Sequence, residues 1–419
     1  AISSRPDPNT LLIRVAQMFG DSVDGLGWIR LWASVFTAGV PLALLWLCRS
    51  FGRSPWLALL GCPLVFGAPF SLGLLNFLVA IPLIITAIGL ANRSAQDEAL
   101  RWQVSLAILL AATWFVHAFG WLVATGLVIV VFVARVRTFA EAARGWPLLS
   151  AAPLFAVWVW RLLVRRMSTV DGETLGSRDS LGFYWSEDHT LLQRFWIDAG
   201  DILRSTWPDA LAWSLVGALF VAALVHAHRN RAREPNARPA VALLAVVIVA
   251  LASWALLPIG MHNLDVIGER VLLVALLLGT ALPAWSWRQR VPVIWRTVAC
   301  CVALAWPSYV SSEALRFDLS EMQPLAAVIQ HVDSRTTLLR IERKLYNETF
   351  IHGTTWYLPR AMHAVRNGGT GNQNFASMPY TAIQYQRDMV HADRPPIDLQ
   401  KDRRFSLIAV KAPWWLYKK

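Results

Sequence analysis

Long, predominantly apolar stretches alternate with short polar segments along most of this chain. Ten such stretches lie between residues 29 and 310, and each is 14 to 20 residues long. A helix needs about 20 apolar residues to cross a bilayer, and some shorter helices cross it tilted or broken. Because unpaired backbone is costly in lipid and no barrel-like alternation occurs, we predict an all-α polytopic membrane protein with about ten transmembrane helices. The stretches are 29–47, 56–70, 72–91, 104–117, 120–136, 146–164, 210–225, 240–257, 271–287 and 293–310.

Basic residues occupy every second loop between these stretches. Cytoplasmic loops of membrane proteins carry an excess of Lys and Arg, so we predict that these loops face the cytoplasm. Segments 1–28, 165–209 and 311–419 then lie outside, with 29–164 and 210–310 as the two transmembrane parts. The basic residues are Arg49, Arg53, Arg93, Arg101, Arg135, Arg137, Arg144, Arg229, Arg231, Arg233, Arg238, Arg288 and Arg290.

Three arginines on the predicted outer side depart from this distribution. Arg161, Arg165 and Arg166 lie beside the apolar stretch 146–164. Such a group can hold an anionic headgroup or a lipid pyrophosphate, or it can simply extend to the membrane surface. Both interpretations stay open at this point.

The most conspicuous polar segment inside the transmembrane part is the polar hinge, which we define as residues 257–270. It contains His262, Asp265, Glu269 and Arg270 between two apolar stretches. A charge at the centre of a span costs roughly 2.5 to 3.5 kcal/mol, so these residues are expected at a membrane boundary or in a polar cavity. The hinge is therefore either an ordinary loop whose Arg270 reaches headgroups or part of a functional site.

Two further segments are amphipathic. From Asn9 to Phe19, five apolar residues share one helical face after an N-cap at Asn9 or Thr10, which predicts an interfacial helix. Within 189–207, a second apolar stripe predicts a helix that lies along the outer surface. The stripe consists of Leu191, Leu192, Phe195, Trp196, Ala199, Ile202 and Leu203, and the other face carries Gln193, Arg194, Asp198, Asp201 and Arg204.

Two of these acidic residues raise the question of a metal. Asp198 and Asp201 are one helical turn apart, so they could share a divalent cation, or they could remain solvated surface charges. The four cysteines give no help, because none has the spacing of metal ligands or of a disulfide framework. The cofactor therefore stays unknown, with a divalent cation as one candidate.

From about residue 311 the composition becomes that of a soluble domain. Helices are predicted over 319–332 and 355–366, and strands over 337–341 and 405–411. About a hundred residues suffice for a small α/β domain, which we place outside the membrane.

Composition supports this class. The chain is 56% hydrophobic and 16% charged and contains 22 Trp, which a soluble protein of 419 residues could not bury. A net charge of +12 would suggest nucleic-acid binding in a soluble protein, but here the arginines cluster between apolar stretches and indicate membrane lipids as partners. No phosphate-binding loop, dinucleotide fingerprint, metalloprotease helix or serine-nucleophile motif occurs. The remaining chemistry belongs at the outer boundary of the membrane.

Four segments together resemble bacterial membrane proteins of the GT-C glycosyltransferase superfamily. They are the interfacial helix 9–19, the run 70–82, the helix break at 114–120 and the polar hinge. The resemblance covers most of the chain and is closest to uncharacterised members. It implies a polyprenyl-phosphate-linked sugar as donor, a catalytic carboxylate on the first outer loop before an interfacial helix, and a periplasmic domain. The implied location is the bacterial cytoplasmic membrane.

The resemblance also assigns roles to residues of this sequence. Asp7 is the carboxylate before the interfacial helix and would act as the general base for inverting transfer to an acceptor hydroxyl. Arg270, with Arg165, would neutralise the leaving lipid phosphate. His117 and Asn76 would orient donor or acceptor, unless they are packed or interhelical polar residues. The predicted substrate-binding set is Arg270, Asp265, Glu269, His262, His117, Asn76, Arg165 and Arg166.

Two other functions fit the same pattern. A catalytically inactive relative could serve as an accessory subunit of a membrane complex, which the many Trp residues favour. A transporter or polymerase of lipid-linked saccharides would use the same outward arginines. The sequence begins at Ala1, so we expect an upstream segment, and an additional span followed by acidic residues there would favour the enzyme.

Overall fold

The computed structural model divides into two units, which are described separately. One comprises residues 5–307, and the other comprises 1–4 and 308–419. The residues that the structure describes are 11–19, 25–66, 75–150, 152–153, 155–156, 159–160, 183–184, 190–203, 214, 217–218, 220–221, 225, 238–257, 260–261, 267–283, 293–329, 337–338, 341–343, 370–371, 406–411 and 414–418.

Helices dominate the described part of the unit 5–307, as the apolar periodicity predicts. Two short strands, β1 (Phe183–Tyr184) and β2 (Gly260–Met261), pair with each other in antiparallel fashion. The helices are α1 (Leu11–Phe19), α2 (Gly25–Ser50), α3 (Leu75–Gln96), α4 (Leu100–Val116), α5 (Ala118–Arg135), α6 (Phe139–Ala143), α7 (Leu191–Leu203), α8 (Arg238–Leu256), α9 (Ile267–Gly279) and α10 (Val293–Phe317), whose last residues belong to the other unit.

Five of these helices are long and apolar enough to cross a membrane, namely α2, α3, α5, α8 and the helix that begins with α10. Their exposed apolar residues recur at helical spacing, such as Val241, Leu244 and Ile248 on α8. Stripes of this kind suit contact with lipid. These five helices indicate a multi-spanning helical membrane protein. The total of ten spans stays a prediction, because stretches 146–164 and 210–225 are described only in part.

Helix α3 is the centre of the bundle and packs against α2, α4 and α5. Most of its residues are buried, including Ile81, Ile84 and Ile88. Small residues let α2 approach closely, since a Cβ added to Gly39 would lie 3.2 Å from Pro82. The amide of Asn92 donates to the carbonyl of Ser50 at 2.8 Å, so the two helices end side by side. Helices α2 and α3 therefore run in the same direction.

Parallel neighbours require the chain to return across the bundle between them, and residues 55–66 make this return. The predicted span over 56–70 is found as two 3-10 helices, Pro55–Gly61 and Pro63–Phe66. A 3-10 helix rises about 2.0 Å per residue, so the twelve residues reach about 24 Å. A Cβ added to Gly61 would overlap Leu44 of α2 and contact Leu277 of α9, which shows that the segment runs between these helices. Such backbone is tolerated at membrane depth only when protein surrounds it.

The ends of α2, α3 and α5 and the start of α4 form what we call the arginine-rich end. Arg93 donates to the carbonyl of Arg49, and Arg144 forms an ion pair with Glu98. The backbone N–H of Ala99 and the indole of Trp102 donate to Asp97, and these hydrogen bonds lower the pKa of that carboxyl. Arginines from loops far apart in the sequence thus share one end of the bundle, which is the arrangement that the charge pattern requires.

The unit 308–419 contains the end of α10, a π-helical turn (Asp318–Met322), α11 (Gln323–Ile329) and short strands. The predicted strand 405–411 is found as β6 (Ser406–Lys411), and the predicted strand 337–341 divides into β3 (Thr337–Leu338) and β4 (Ile341–Arg343). β7 (Trp414–Lys418) lies between β4 and β6 in an antiparallel sheet, and β5 (Thr370–Gly371) pairs with β3 in parallel. The predicted helix over 355–366 lies outside the described residues. An extracytoplasmic α/β domain here stays a prediction.

Candidate functional site

The end of the bundle opposite the arginines, which we call the site end, brings three helix N-termini together around one aromatic ring. Phe77 is the third residue of α3 and is almost completely buried. The guanidinium carbon of Arg270, in the first turn of α9, lies 5.6 Å from the centre of the Phe77 ring. The imidazole of His117, the N-cap of α5, meets the same ring edge-on at 5.4 Å. Phe77 therefore connects the polar hinge to the helix break.

His117 is the single residue between α4 and α5, and its backbone is extended. Its Nδ1 accepts a hydrogen bond from the backbone N–H of Gly120 at 3.0 Å. A ring nitrogen that accepts must lack a proton, so in the neutral ring Nε2 carries the hydrogen. His117 is thus the N-cap of α5, and its Nε2–H is a hydrogen-bond donor.

Arg270 and Glu269 are both buried, with exposed fractions of 7% and 8%. A cation in the first turn of a helix adds to the positive end of the helix dipole instead of opposing it. The N-termini of α3 and α5 add further positive potential around Phe77. The buried arginine and the three helix ends contribute positive potential here, and the buried carboxylate of Glu269 in the same turn offsets part of it. Asn76, half-buried beside Phe77 in the sequence, lies at the same helix start.

Helix α7 holds the polar hinge from the side, and here the prediction from sequence was wrong in one respect. Arg194 and Asp198 were expected on a solvated face, but each is only 6% exposed. Arg194 donates to the carbonyl of Leu257 at 3.0 Å and stacks over Trp254 at 5.3 Å. The indole of Trp254 donates to Asp198 at 2.7 Å. The carbonyls at the end of α8 need donors, and Arg194 supplies them, which is why the polar pair faces inward.

Because Arg194 and Asp198 face inward, only part of the predicted apolar stripe of α7 is buried. Ala199 and Ile202 are buried against the bundle, whereas Leu191, Leu192 and Trp196 are 60%, 66% and 67% exposed. Apolar residues surround the Arg194–Asp198 pair on both sides in the sequence. An i,i+4 ion pair with apolar residues on both sides is the signal in the sequence that indicates burial of this pair.

Helix α1 also belongs to the site end. Its residue Leu12 is buried against Val79 and Ala80 of α3 and Val116 of α4. The helix predicted over 9–19 is found at Leu11–Phe19, and Met18 and Phe19 are exposed near its end. Its location at the membrane interface stays a prediction. The contact fixes α1 next to the first turns of α3 and the last turn of α4.

Several predicted site residues lie outside the described residues, namely Asp7, Arg165, Arg166, His262 and Asp265, so their roles stay predictions. Of the others, Arg270 and His117 contact the same ring, and Glu269 is adjacent to Arg270. Phe77, the residue that connects them, could not be selected from the sequence because it is one apolar residue within an apolar run. In the part of the chain that the structure describes, no three His, Cys, Asp or Glu side chains form a metal-binding group. No protein-family model, curated protein or solved structure matches this chain.

Proposed function

We propose that the site end binds the phosphate of a polyprenyl-linked sugar and that the chain transfers this sugar to an acceptor on the extracytoplasmic face of the bacterial cytoplasmic membrane. The observation that carries the proposal is the buried guanidinium of Arg270 between the N-termini of α3, α5 and α9. Charge-assisted hydrogen bonds to phosphate are about twice as strong as neutral ones. The arginine-rich end supports the orientation, because it would face the cytoplasm and leave the site end outside.

Arg270, His117 and Phe77 each have a role in this proposal. Arg270 binds the lipid phosphate and stabilises the charge that develops on it as the sugar departs. The Nε2–H of His117 donates to a phosphate oxygen or a sugar hydroxyl. Phe77 holds the Arg270 guanidinium in place through a cation–π contact, worth about 0.5 to 2 kcal/mol. The polyprenyl chain would extend along the lipid-exposed helices.

The proposed general base, Asp7, is four residues before Leu11. An extended chain spans at most about 3.6 Å per residue, so the Cα atoms of Asp7 and Leu11 are within about 14 Å of each other. Leu12 packs on Ala80 and Val116 at the site end, and the proposal requires Asp7 to reach the acceptor at that end. There it would deprotonate the acceptor hydroxyl, which attacks the anomeric carbon while the bond to the lipid phosphate breaks.

The variant Arg270→Met tests the phosphate site. Methionine keeps most of the buried volume and removes the charge, so we expect a thermal transition close to that of the wild type. Binding of a short-chain polyprenyl phosphate in detergent should weaken about 10- to 100-fold, since a hydrogen bond to a charged group contributes about 1.5 to 3 kcal/mol. The measurement is titration calorimetry.

Arg296→Met is the matched control. Arg296 also lies in the first turn of a helix and over an aromatic ring, that of Trp56 at 5.9 Å, but away from Phe77. Its variant should bind polyprenyl phosphate like the wild type. Equal affinities for Arg270→Met and the wild type would refute the phosphate role. A loss of folded protein with Arg270→Met alone would instead indicate a structural ion pair, because breaking such a pair costs about 3 to 5 kcal/mol.

The exposed apolar side of α7 favours a second candidate, an accessory subunit of a membrane complex. Leu191, Leu192 and Trp196 offer an aromatic and aliphatic surface of the kind that interfaces use. On this alternative the chain copurifies with other membrane proteins, and neither Asp7→Asn nor Arg270→Met changes the phenotype of the cell.

A further inference from the structure

The two ends of the polar hinge meet at one side chain that belongs to neither of them. Leu257, where α8 ends and the hinge begins, accepts a hydrogen bond from Nη2 of Arg194 at 3.0 Å. Gly268, in the first turn of α9, is so close to Arg194 that an added Cβ would lie 2.5 Å from the same Nη2 atom. The guanidinium thus contacts the chain just before and just after residues 258–267.

We propose that Arg194 is a positioning residue: it fixes the separation of Leu257 and Gly268 and thereby places Arg270 against Phe77. This inference rests on the proposed function only in its expected effect on ligand affinity. The positioning itself follows from the contacts, since Gly268 and Arg270 are in the same turn of α9.

The surroundings of Arg194 are built to hold the guanidinium in one orientation. Nε lies 3.5 Å from Oδ2 of Asp198, and Nη1 lies 3.5 Å from the carbonyl of Ala255. The same Oδ2 accepts from the indole of Trp254, whose ring faces the guanidinium. Both charged partners are almost fully buried, so solvent does not screen the pair. A planar guanidinium reaches these partners together, and the compact ammonium of a lysine cannot.

Glycine at position 268 leaves room for the guanidinium of Arg194. Any Cβ there would displace Arg194 or push α9 away from α8. Arg194→Lys and Gly268→Ala therefore perturb one contact from opposite sides. If the contact positions the hinge, the two changes are not additive, because either one already releases it.

The alternative is that Arg194 only caps the last carbonyls of α8. A cap would contribute to stability but would have no effect on the loop beyond it. The two roles separate in a measurement of hinge position, which a purely structural cap leaves unchanged.

The test uses the full chain with Cys300 and Cys301 replaced by alanine and with spin labels at Met261→Cys and Gln96→Cys. Met261 lies in β2 within the hinge, and Gln96 is the exposed end of α3. Pulsed electron paramagnetic resonance gives the distribution of distances between the labels. Polyprenyl phosphate affinity is measured for the same variants without labels.

We expect a narrow distribution in the wild type and broader ones in Arg194→Lys, Gly268→Ala and the double variant, which should resemble either single change. Affinity should fall on the order of ten- to a hundredfold in these variants, because a misplacement of about 1 Å at a binding site can cost that much. Arg270→Met is the control, with reduced affinity and an unchanged distribution. Unchanged distributions in both single variants would overturn the inference. A wild-type chain that binds no polyprenyl phosphate would refute the proposed function alone, since the distances still decide the role of Arg194.

Discussion

The contact between Gly120 and Ala80 offers a sharp test of the helix packing that forms the site end. Gly120 is in the first turn of α5, and Ala80 is fully buried on α3. A Cβ added to Gly120 would lie only 2.8 Å from the Cβ of Ala80. Carbon atoms pack best at about 3.5 to 4.0 Å, so Gly120→Ala should force the helices apart by about 1 Å.

The energetic consequence follows from this displacement. Overpacking of a well-packed core costs about 1 to 3 kcal/mol. Replacing glycine by alanine in a helix returns at most about 1 kcal/mol. We expect a net destabilisation of about 1 to 2 kcal/mol from these two effects. His117 caps the same turn, so its 5.4 Å contact with Phe77 should also be disturbed, and polyprenyl phosphate binding should weaken.

Thermal unfolding in detergent at a fixed heating rate measures the effect, with Gly126→Ala as the matched control. Gly126 is on the same helix, and nothing lies within 4 Å of an added Cβ, so alanine there should be neutral or slightly stabilising. The variant Ala80→Gly should rescue Gly120→Ala, because the glycine then lies on the other helix. Additive losses in the double variant, or equal behaviour of Gly120→Ala and Gly126→Ala, would refute the predicted contact.

Two further predictions concern catalysis and topology. Asp7→Asn is nearly isosteric and should lower turnover on the order of a hundredfold or more, with normal protein abundance. Turnover is measured as sugar transfer from a polyprenyl-phosphate donor. Wild-type turnover in this variant would exclude Asp7 as the general base. The topology test uses a chain without Cys300 and Cys301, in which the remaining Cys48 and Cys62 are buried, and adds one cysteine at a time. Gln96→Cys, on the arginine-rich end, should react with a membrane-impermeant thiol reagent only from the cytoplasmic side, and Gly200→Cys, on α7, only from the outside. Reversed labelling would invert the orientation.

The sequence by itself determined the class of the protein and the position of many helices. Apolar length and the placement of arginines act locally, because lipid requires about 20 apolar residues per span and basic loops remain on one side. The predicted stretch 72–91 is found as α3, and 240–257 is found as α8. Arg49, Arg93 and Arg144, selected from separate loops, meet at one end of the bundle.

The tertiary structure decided which of the polar residues come together. Phe77, His117 and Arg270 are far apart in the sequence, and only the packing of α3, α5 and α9 brings their side chains into contact. The return of the chain through 3-10 helices at 55–66 likewise depended on neighbours that enclose its backbone, which no local pattern reveals. The inward face of α7 was set by the free carbonyls at the end of α8, since Arg194 binds them, and hydrophobic periodicity alone indicated the opposite side.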